Sequence, residues 1–218
     1  MIKRFERIEG LYVEQIAGQE SLGYAHSDSS DLYDLTEWAE RGGYPGSVIL
    51  FYDFTTGAVY KPFRKRKNVL YGEPVYADGA YWFLQGDYGK KKVTLFSYRP
   101  GEKAAEAAAF AVSEVSLYNL RILGEGVHVV SQNAANASCY FPQPFSIALS
   151  PHQTVALISG DRVYLEEWVE EGWDDEHDCA GENYRFYHKV IMKDFEGNTL
   201  SEEIGTITQA PDGTYWIS

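Results

Sequence analysis

The segment Ala77-Asp78-Gly79-Ala80-Tyr81-Trp82-Phe83 constrains this chain most, because it occurs twice. It returns near the far end as Pro211-Asp212-Gly213-Thr214-Tyr215-Trp216-Ile217. An Asp-Gly pair between apolar runs is a tight-turn signal: glycine adopts positive φ without steric cost, and aspartate can bond its own backbone. Each copy therefore predicts strand, turn, strand. A looser copy stands at Ile8-Glu9-Gly10-Leu11-Tyr12-Val13, with an acidic residue and a glycine ahead of three large apolar side chains.

Between the copies lies a run of short strands. Residues 47–53 and 58–63 are predicted to pair across Phe54-Thr55-Thr56-Gly57, with Pro62 marking the second as an edge. Strands follow at 92–98 and at about 110–115, although 103–111 is rich in alanine and helical by propensity alone. A hairpin is expected over 120–130, a small-residue loop over 131–138, and a second hairpin joining 145–149 to 154–158 through Ser150-Pro151-His152-Gln153. Gly160-Asp161 turns the chain into 162–165, residues 170–183 form an acidic loop, and 184–192 is a strand closed by a turn over 194–198. One short helix near 31–41 interrupts the pattern. Leu32, Leu35 and Ala39 share a helical face, the N-cap falls at Ser30 or Asp31 after a polar loop over 27–30, and Gly42-Gly43 stops it.

The turns recur. Gly57 and Gly101 lie 44 residues apart, Gly197 lies 96 beyond, and the two Asp-Gly pairs are 134 apart. A period in the forties built from about four short strands is a signature of stacked β units, none of which can bury its faces alone. On the Asp-Gly hairpins at 78–79 and 212–213 and the Tyr-Asp-x-x-Thr-Gly type turn at 52–57, the chain beyond residue 44 resembles β-propeller repeat proteins. No Trp-Asp blade ending accompanies these turns. The resemblance implies an all-β fold of four to five blades and no particular activity. Two packed antiparallel sheets, a β-sandwich, are the alternative. With 218 residues the chain is read as one β-repeat domain.

The densest set of polar candidate ligands is Trp173, Asp174, Asp175, His177 and Asp178, followed by Cys179. Calcium requires six to eight oxygens, and zinc a tetrahedron of nitrogen or sulfur. The spacing fits neither: a calcium loop opening at Asp174 needs glycine where Cys179 stands and glutamate where Arg185 stands. A solvated acidic segment is the simpler reading, and no cofactor is expected. Carboxylates at Asp53, Asp78, Glu125, Asp161, Asp194 and Asp212 could pair for glycosidase chemistry, but turn formation alone explains aspartate at such places. Of the five histidines none belongs to a spaced pair; His128 alternates with Val127 and Val129 and so points to the opposite face. Cys139 has no evident base and reads as a core or surface thiol, and neither a nucleophile elbow nor a phosphate loop occurs.

Charge sets the remaining bounds. Net charge is −13, from 32 acidic and 19 basic side chains. That balance repels nucleic acid and anionic lipid and suits a cation or a basic partner. The basic runs at 64–67 and 90–92 read as solvated strand ends that guard sheet edges. No apolar stretch approaches a membrane span or a signal peptide, and two cysteines make no disulfide framework; a cytoplasmic protein is expected. Exposed rings among Tyr81, Trp82, Trp168, Trp173 and Trp216 would suit a sugar or protein platform, and core packing is the plainer role. The leading functional expectation is a non-catalytic binding or protein-interaction module, whose ligand is a protein or a small glycan. A carboxylate- or metal-dependent hydrolase acting on glycans and an acidic inhibitor or immunity-type partner of a basic protein are the alternatives.

Overall fold

The computed structural model describes residues 2–28 and 31–218. Ser30, one of the two expected N-caps, and part of the polar loop over 27–30 lie outside the described residues. The first sheet runs β1 (Glu14–Gln15), β2 (Leu22–His26), β3 (Ile49–Asp53) and β4 (Val59–Tyr60), antiparallel and in chain order. Helix α1 (Asp34–Glu40) is inserted between β2 and β3. Its start is fixed by the Asp31 carboxylate, which accepts from the N–H groups of Tyr33 and Asp34 at 2.8 and 3.0 Å. Its end is fixed where the Gly43 N–H returns to the Trp38 carbonyl at 3.0 Å, a bond that needs the positive φ of the two glycines. The loose copy at 8–13 forms no hairpin; the chain there runs past the first sheet, and Leu11 and Val13 pack on Ala25 and Leu50.

The second sheet comprises β5 (Val69–Tyr71), β6 (Val75–Ala77), β7 (Ala80–Asp87), β8 (Lys92–Tyr98) and β9 (Ala105–Ala111); β5 and β6 both pair with β7. The alanine-rich segment is therefore strand, ahead of the expected 110–115. It pairs with β8 over its whole length, and Ala108 and Phe110 pack on the core, so tertiary pairing overrides helical propensity. The third sheet is β10 (Arg121–Leu123), β11 (His128–Gln132), β12 (Asn136–Phe141) and β13 (Phe145–Ala148). The small-residue loop shrinks to a turn in which the Asn133 carboxamide oxygen accepts from the N–H groups of Ala135 and Asn136.

The fourth sheet is β14 (Gln153–Ser159), β15 (Arg162–Asp174), β16 (Cys179–Lys193) and β17 (Thr199–Ile204), and a hairpin of β18 (Ile207–Gln209) and β19 (Tyr215–Ile217) follows. Two expectations fail here. Residues 145–149 and 154–158 do not pair with each other. Ser150 to Gln153 is instead a crossing between sheets, and Val155 and Ile158 pack face to face against Val130, Ala137 and Ile147 of the third sheet. The acidic loop over 170–183 is the distal part of a long β15–β16 ribbon, whose register runs from Val163↔Lys193 to Asp174↔Cys179. Loop-like composition misled there because the ribbon pairs only with itself beyond the Trp168–His188 pair, so both its faces are wet and polar residues are tolerated.

The fold is thus all-β, with several antiparallel sheets in which each new strand is laid beside the previous one, except that β5 and β6 share one edge of β7. Successive sheets stack by their faces. Phe51 of the first meets Tyr81 and Phe83 of the second in one cluster. The alternate residues of β7, Trp82 and Leu84, join Val93, Leu95 and the third sheet's Ile122 and Val129 in another. Because β7 has apolar surroundings on both faces, its side chains are apolar at successive positions, as strands covered on both faces require. Both sequence copies form hairpins, β6–β7 and β18–β19, but in different settings: the first lies in the five-stranded sheet with Tyr81 buried, the second is a two-stranded sheet with Trp216 65% exposed. Their turns differ. Asp78 and Gly79 both take positive φ in a two-residue loop, whereas only Gly213 does in the second, where the Ala210 N–H bonds the Thr214 carbonyl at 2.8 Å. Gly18 of the first sheet's opening turn donates to the Pro211 carbonyl at 3.1 Å, so the first and last hairpins touch. No helix among the described residues is long and apolar enough to cross a membrane.

Candidate functional site

The early strands of all five sheets border one cavity of about 450 Å³. Gln15 comes from β1, Val75 from β6, Leu123 from β10, Ile207 from β18, and Ala156 from β14. A second cavity of about 420 Å³ adjoins it at Glu14, Glu73 and Ile122, and adds His26, Asp28, Asp31 and Arg121. The site is therefore made by topology: each meander contributes the edge at which it begins.

Three local devices hold that edge. Gln19 clamps the β1–β2 turn by donating to the carbonyls of Ile16 and Leu22, both at 2.8 Å. Its carboxamide oxygen accepts the Tyr81 hydroxyl at 3.0 Å, which ties the first sheet to the second. Arg121 reaches from the third sheet to the fourth and donates to the Val155 carbonyl at 2.9 Å. At Gly124 (φ +86°) a Cβ would lie 2.4 Å from the Ile158 carbonyl oxygen, so only glycine lets these two sheets approach so closely.

Apolar and polar side chains share the walls, and the charged ones are mostly acidic. The Tyr24 hydroxyl donates to Glu14 at 3.2 Å, and burial, then the charges of Glu73 and Glu14, push this phenol far up from its ordinary value. Burial pushes the His26 imidazole down, against the opposing pull of Glu14. Its Nε2 is buried without a hydrogen-bond partner, and its ring stands edge-on to Tyr24 at 5.2 Å. Tyr44 donates to Asp28 at 2.8 Å. Tyr71 is pushed up to about 12, chiefly by burial. Across the two cavities the carboxylates are Glu14, Asp28, Asp31 and Glu73, and the one fixed cation among the described residues is Arg121. Glu14, Asp31 and Glu73 are exposed, so solvent screens them in part, but like charges lining one concavity still add, and the cavity's field favours a cation.

None of the sequence-predicted site residues lines this cavity. Trp173 and Asp174 end β15, and Asp175, His177 and Asp178 make the exposed turn into β16. The turn uses its own oxygens. Asp174 accepts from the N–H groups of Glu176 and His177 at 3.0 and 3.1 Å and contacts the His177 Nδ1 at 2.9 Å; these bonds hold its carboxyl below the usual range. Among the described residues no group of three or more His, Cys, Asp or Glu side chains is placed to hold a metal ion. Of the turn carboxylates, Asp53, Asp194 and Asp212 behave as turn formers, while Glu125 accepts the Ser159 hydroxyl and Asp161 pairs with Arg162. Asp53 accepts from the N–H groups of Thr55 and Thr56, and the side chains of Asn198 and Thr214 hold Asp194 and Asp212 below the usual carboxylate range. Cys139 lies in the core, where burial pushes its thiol up to about 11. His128 does point away from the buried Val127 and Val129, but its Nδ1 finds no hydrogen-bond partner. Of the basic runs, Arg66 is not merely solvated: it pairs with Asp87 at 3.1 Å and donates to Gln85.

Sequence reasoning missed Glu14, Tyr24, His26, Glu73 and Arg121. They are scattered over 108 positions and share no spacing. The one signal available was their placement in or near the first strands of their sheets, with Glu73 just ahead of the first Asp-Gly hairpin and Arg121 at the start of the 120–130 hairpin. No family model, no curated protein and no solved structure matches this chain.

Proposed function

We propose that this protein is a non-catalytic binding module whose sheets are propeller-like blades set about the cavity, and that the cavity takes a small ligand carrying a positive charge. The observation that carries this reading is the cavity bordered by an early strand from every sheet, with Glu14 and Glu73 as its charged wall residues, and the cavity adjoining it at those residues, which adds Asp28, Asp31 and the single Arg121. Chain-order meanders stacked by their faces and the contact of the first hairpin with the last favour blades about an axis over two packed layers. A glycan-cleaving alternative needs a carboxyl group held protonated near neutrality. The turn carboxylates Asp194 and Asp212 are instead held below the usual carboxylate range by hydrogen bonds within their own turns.

Calorimetric titration with a panel of diamines, amino sugars and neutral sugars tests the reading. An amine should bind in the micromolar to millimolar range, and Glu14→Gln with Glu73→Gln should weaken it about tenfold or more, as loss of two charges in a partly enclosed site implies. Equal binding of neutral and cationic sugars, or indifference to the double substitution, would contradict it.

A further inference from the structure

Beyond Glu167 the β15–β16 ribbon leaves its sheet: β14 ends its pairing at Glu167, and β17 pairs with β16 only from Lys189 onward. A free two-stranded ribbon has two faces, and these two differ sharply. On one, Glu171 accepts the Tyr187 hydroxyl at 2.8 Å and the Arg185 Nε at 2.6 Å, and the Arg185 guanidinium lies 5.3 Å from the Tyr187 ring centre. That face is closed on itself, and it uses the ribbon's arginine. The other face carries a row of rings. Trp168 pairs across with His188, and Glu170 with Phe186; Tyr184 stands 6.5 Å from Phe186 and 5.8 Å from Trp173. Trp173 is 41% exposed and Phe186 61%, which is unusual for large rings, while Trp168, 36% exposed at the base of the row, has His152 edge-on to it at 5.7 Å.

The charge around these rings has one sign. Residues 166–189 carry nine carboxylates against Arg185 and Lys189, so just over half of the chain's net charge of −13 resides in 24 positions. Glu170 sits among the rings with only the Tyr184 hydroxyl on it, at 2.7 Å. Aromatic faces attract cations, guanidinium above all because it stacks as well as pairs, and carboxylates beside them add bidentate acceptors. An apolar partner would have to strip this negative fringe of water; a basic one neutralises it.

We propose that the Trp168–Trp173–Tyr184–Phe186 face of the ribbon docks an arginine-rich segment of a basic partner protein. It is a site separate from the cavity, and the two stand or fall independently. A fluorescently labelled octa-arginine peptide, with octa-lysine and octa-glutamate as controls, is the probe, read by anisotropy and by quenching of the intact protein's tryptophan fluorescence at low and high salt. Octa-arginine should bind more tightly than octa-lysine. Trp173→Ala with Phe186→Ala should weaken it at least about tenfold, the worth of two desolvated cation–π contacts, and Glu14→Gln with Glu73→Gln should change it less than about twofold. Circular dichroism on the same samples confirms that the ribbon variant keeps the wild-type fold, as exposed positions should. Equal affinity for the two basic peptides, or affinity untouched by loss of the rings, would reduce the effect to bulk charge and overturn the proposal. So would sedimentation showing that the ring-bearing face is already covered by a second copy of the chain.

Discussion

The cavity and the ribbon carry the same kinds of side chain, carboxylates, phenols and a histidine, in opposite settings. In the cavity, Tyr24, Glu14 and His26 of the first sheet meet Glu73 of the second, and the charges of the exposed Glu14 and Glu73 act on the buried phenol. In the ribbon, Asp174 and His177 are three residues apart, and Glu171 meets partners directly across one strand pair. The first arrangement is complete only when the second sheet is set against the first and brings Glu73 to the Glu14–Tyr24 strand pair; the second survives on local geometry. Ionisable groups brought together by tertiary structure have altered proton affinities and a net field, while those paired locally in water are largely screened. This is why the richer cluster of acidic residues in the sequence is the weaker candidate for a small-molecule site.

Substitutions of matched residues test that contrast. Phe83 is wholly buried between the first two sheets, so Phe83→Ala should cost about 3–5 kcal/mol in urea unfolding. Phe186→Ala on the ribbon should fall within about 0.5 kcal/mol of wild type. A similar loss at both positions would mean that the ribbon packs against something and is no free arm. Next in size is Gly124→Ala, which must push the Ile158 carbonyl away from a strained positive-φ residue; about 1–3 kcal/mol is expected from the same measurement. Retained stability there would show that the third and fourth sheets are not held so close.

Acidity offers a subtler probe. Burial lowers the folded-state pKa of His26 and of His128 below 6.5. The unfolded chain therefore binds protons first as pH falls. The corresponding stability is complete above the unfolded value and is lost as pH drops from about 6.5 toward the folded pKa. The melting temperature should decline over that window, and His26→Asn should flatten part of the decline; a histidine-independent profile would argue that these rings are solvated. The smallest perturbation uses the two thiols. Iodoacetamide on the native protein should label Cys179, exposed at the ribbon's end, and leave Cys139 unlabelled until denaturant is added, because Cys139 is buried and its thiol is pushed up to about 11. Equal labelling by mass spectrometry would place Cys139 outside the core.

What the sequence disclosed, and what it hid, follows the same division between local and long-range effects. The Asp-Gly hairpins, the turns at Gly57, Gly160 and Gly197, and the helix stop at Gly42-Gly43 are decided within a few residues, and all were legible. Strand 105–111 was not, since alanine is neutral about pairing until β8 lies alongside it. The crossing at Ser150–Gln153 resembles a hairpin turn in every local respect; only the packing of Val155 and Ile158 on the third sheet shows that the chain has changed sheets. The cavity was illegible for a further reason. Glu14, Tyr24, His26, Glu73 and Arg121 converge through the register of three sheets, and no local pattern encodes that register.

Backbone amide shifts recorded during titration with a diamine test the central claim most directly. Binding at the cavity predicts perturbations at Gln15, Val75, Leu123, Ala156 and Ile207 together, one from each sheet, with the ribbon's amides unmoved. Shifts confined to residues 168–188, or to a single sheet, would contradict a common site bordered by all five.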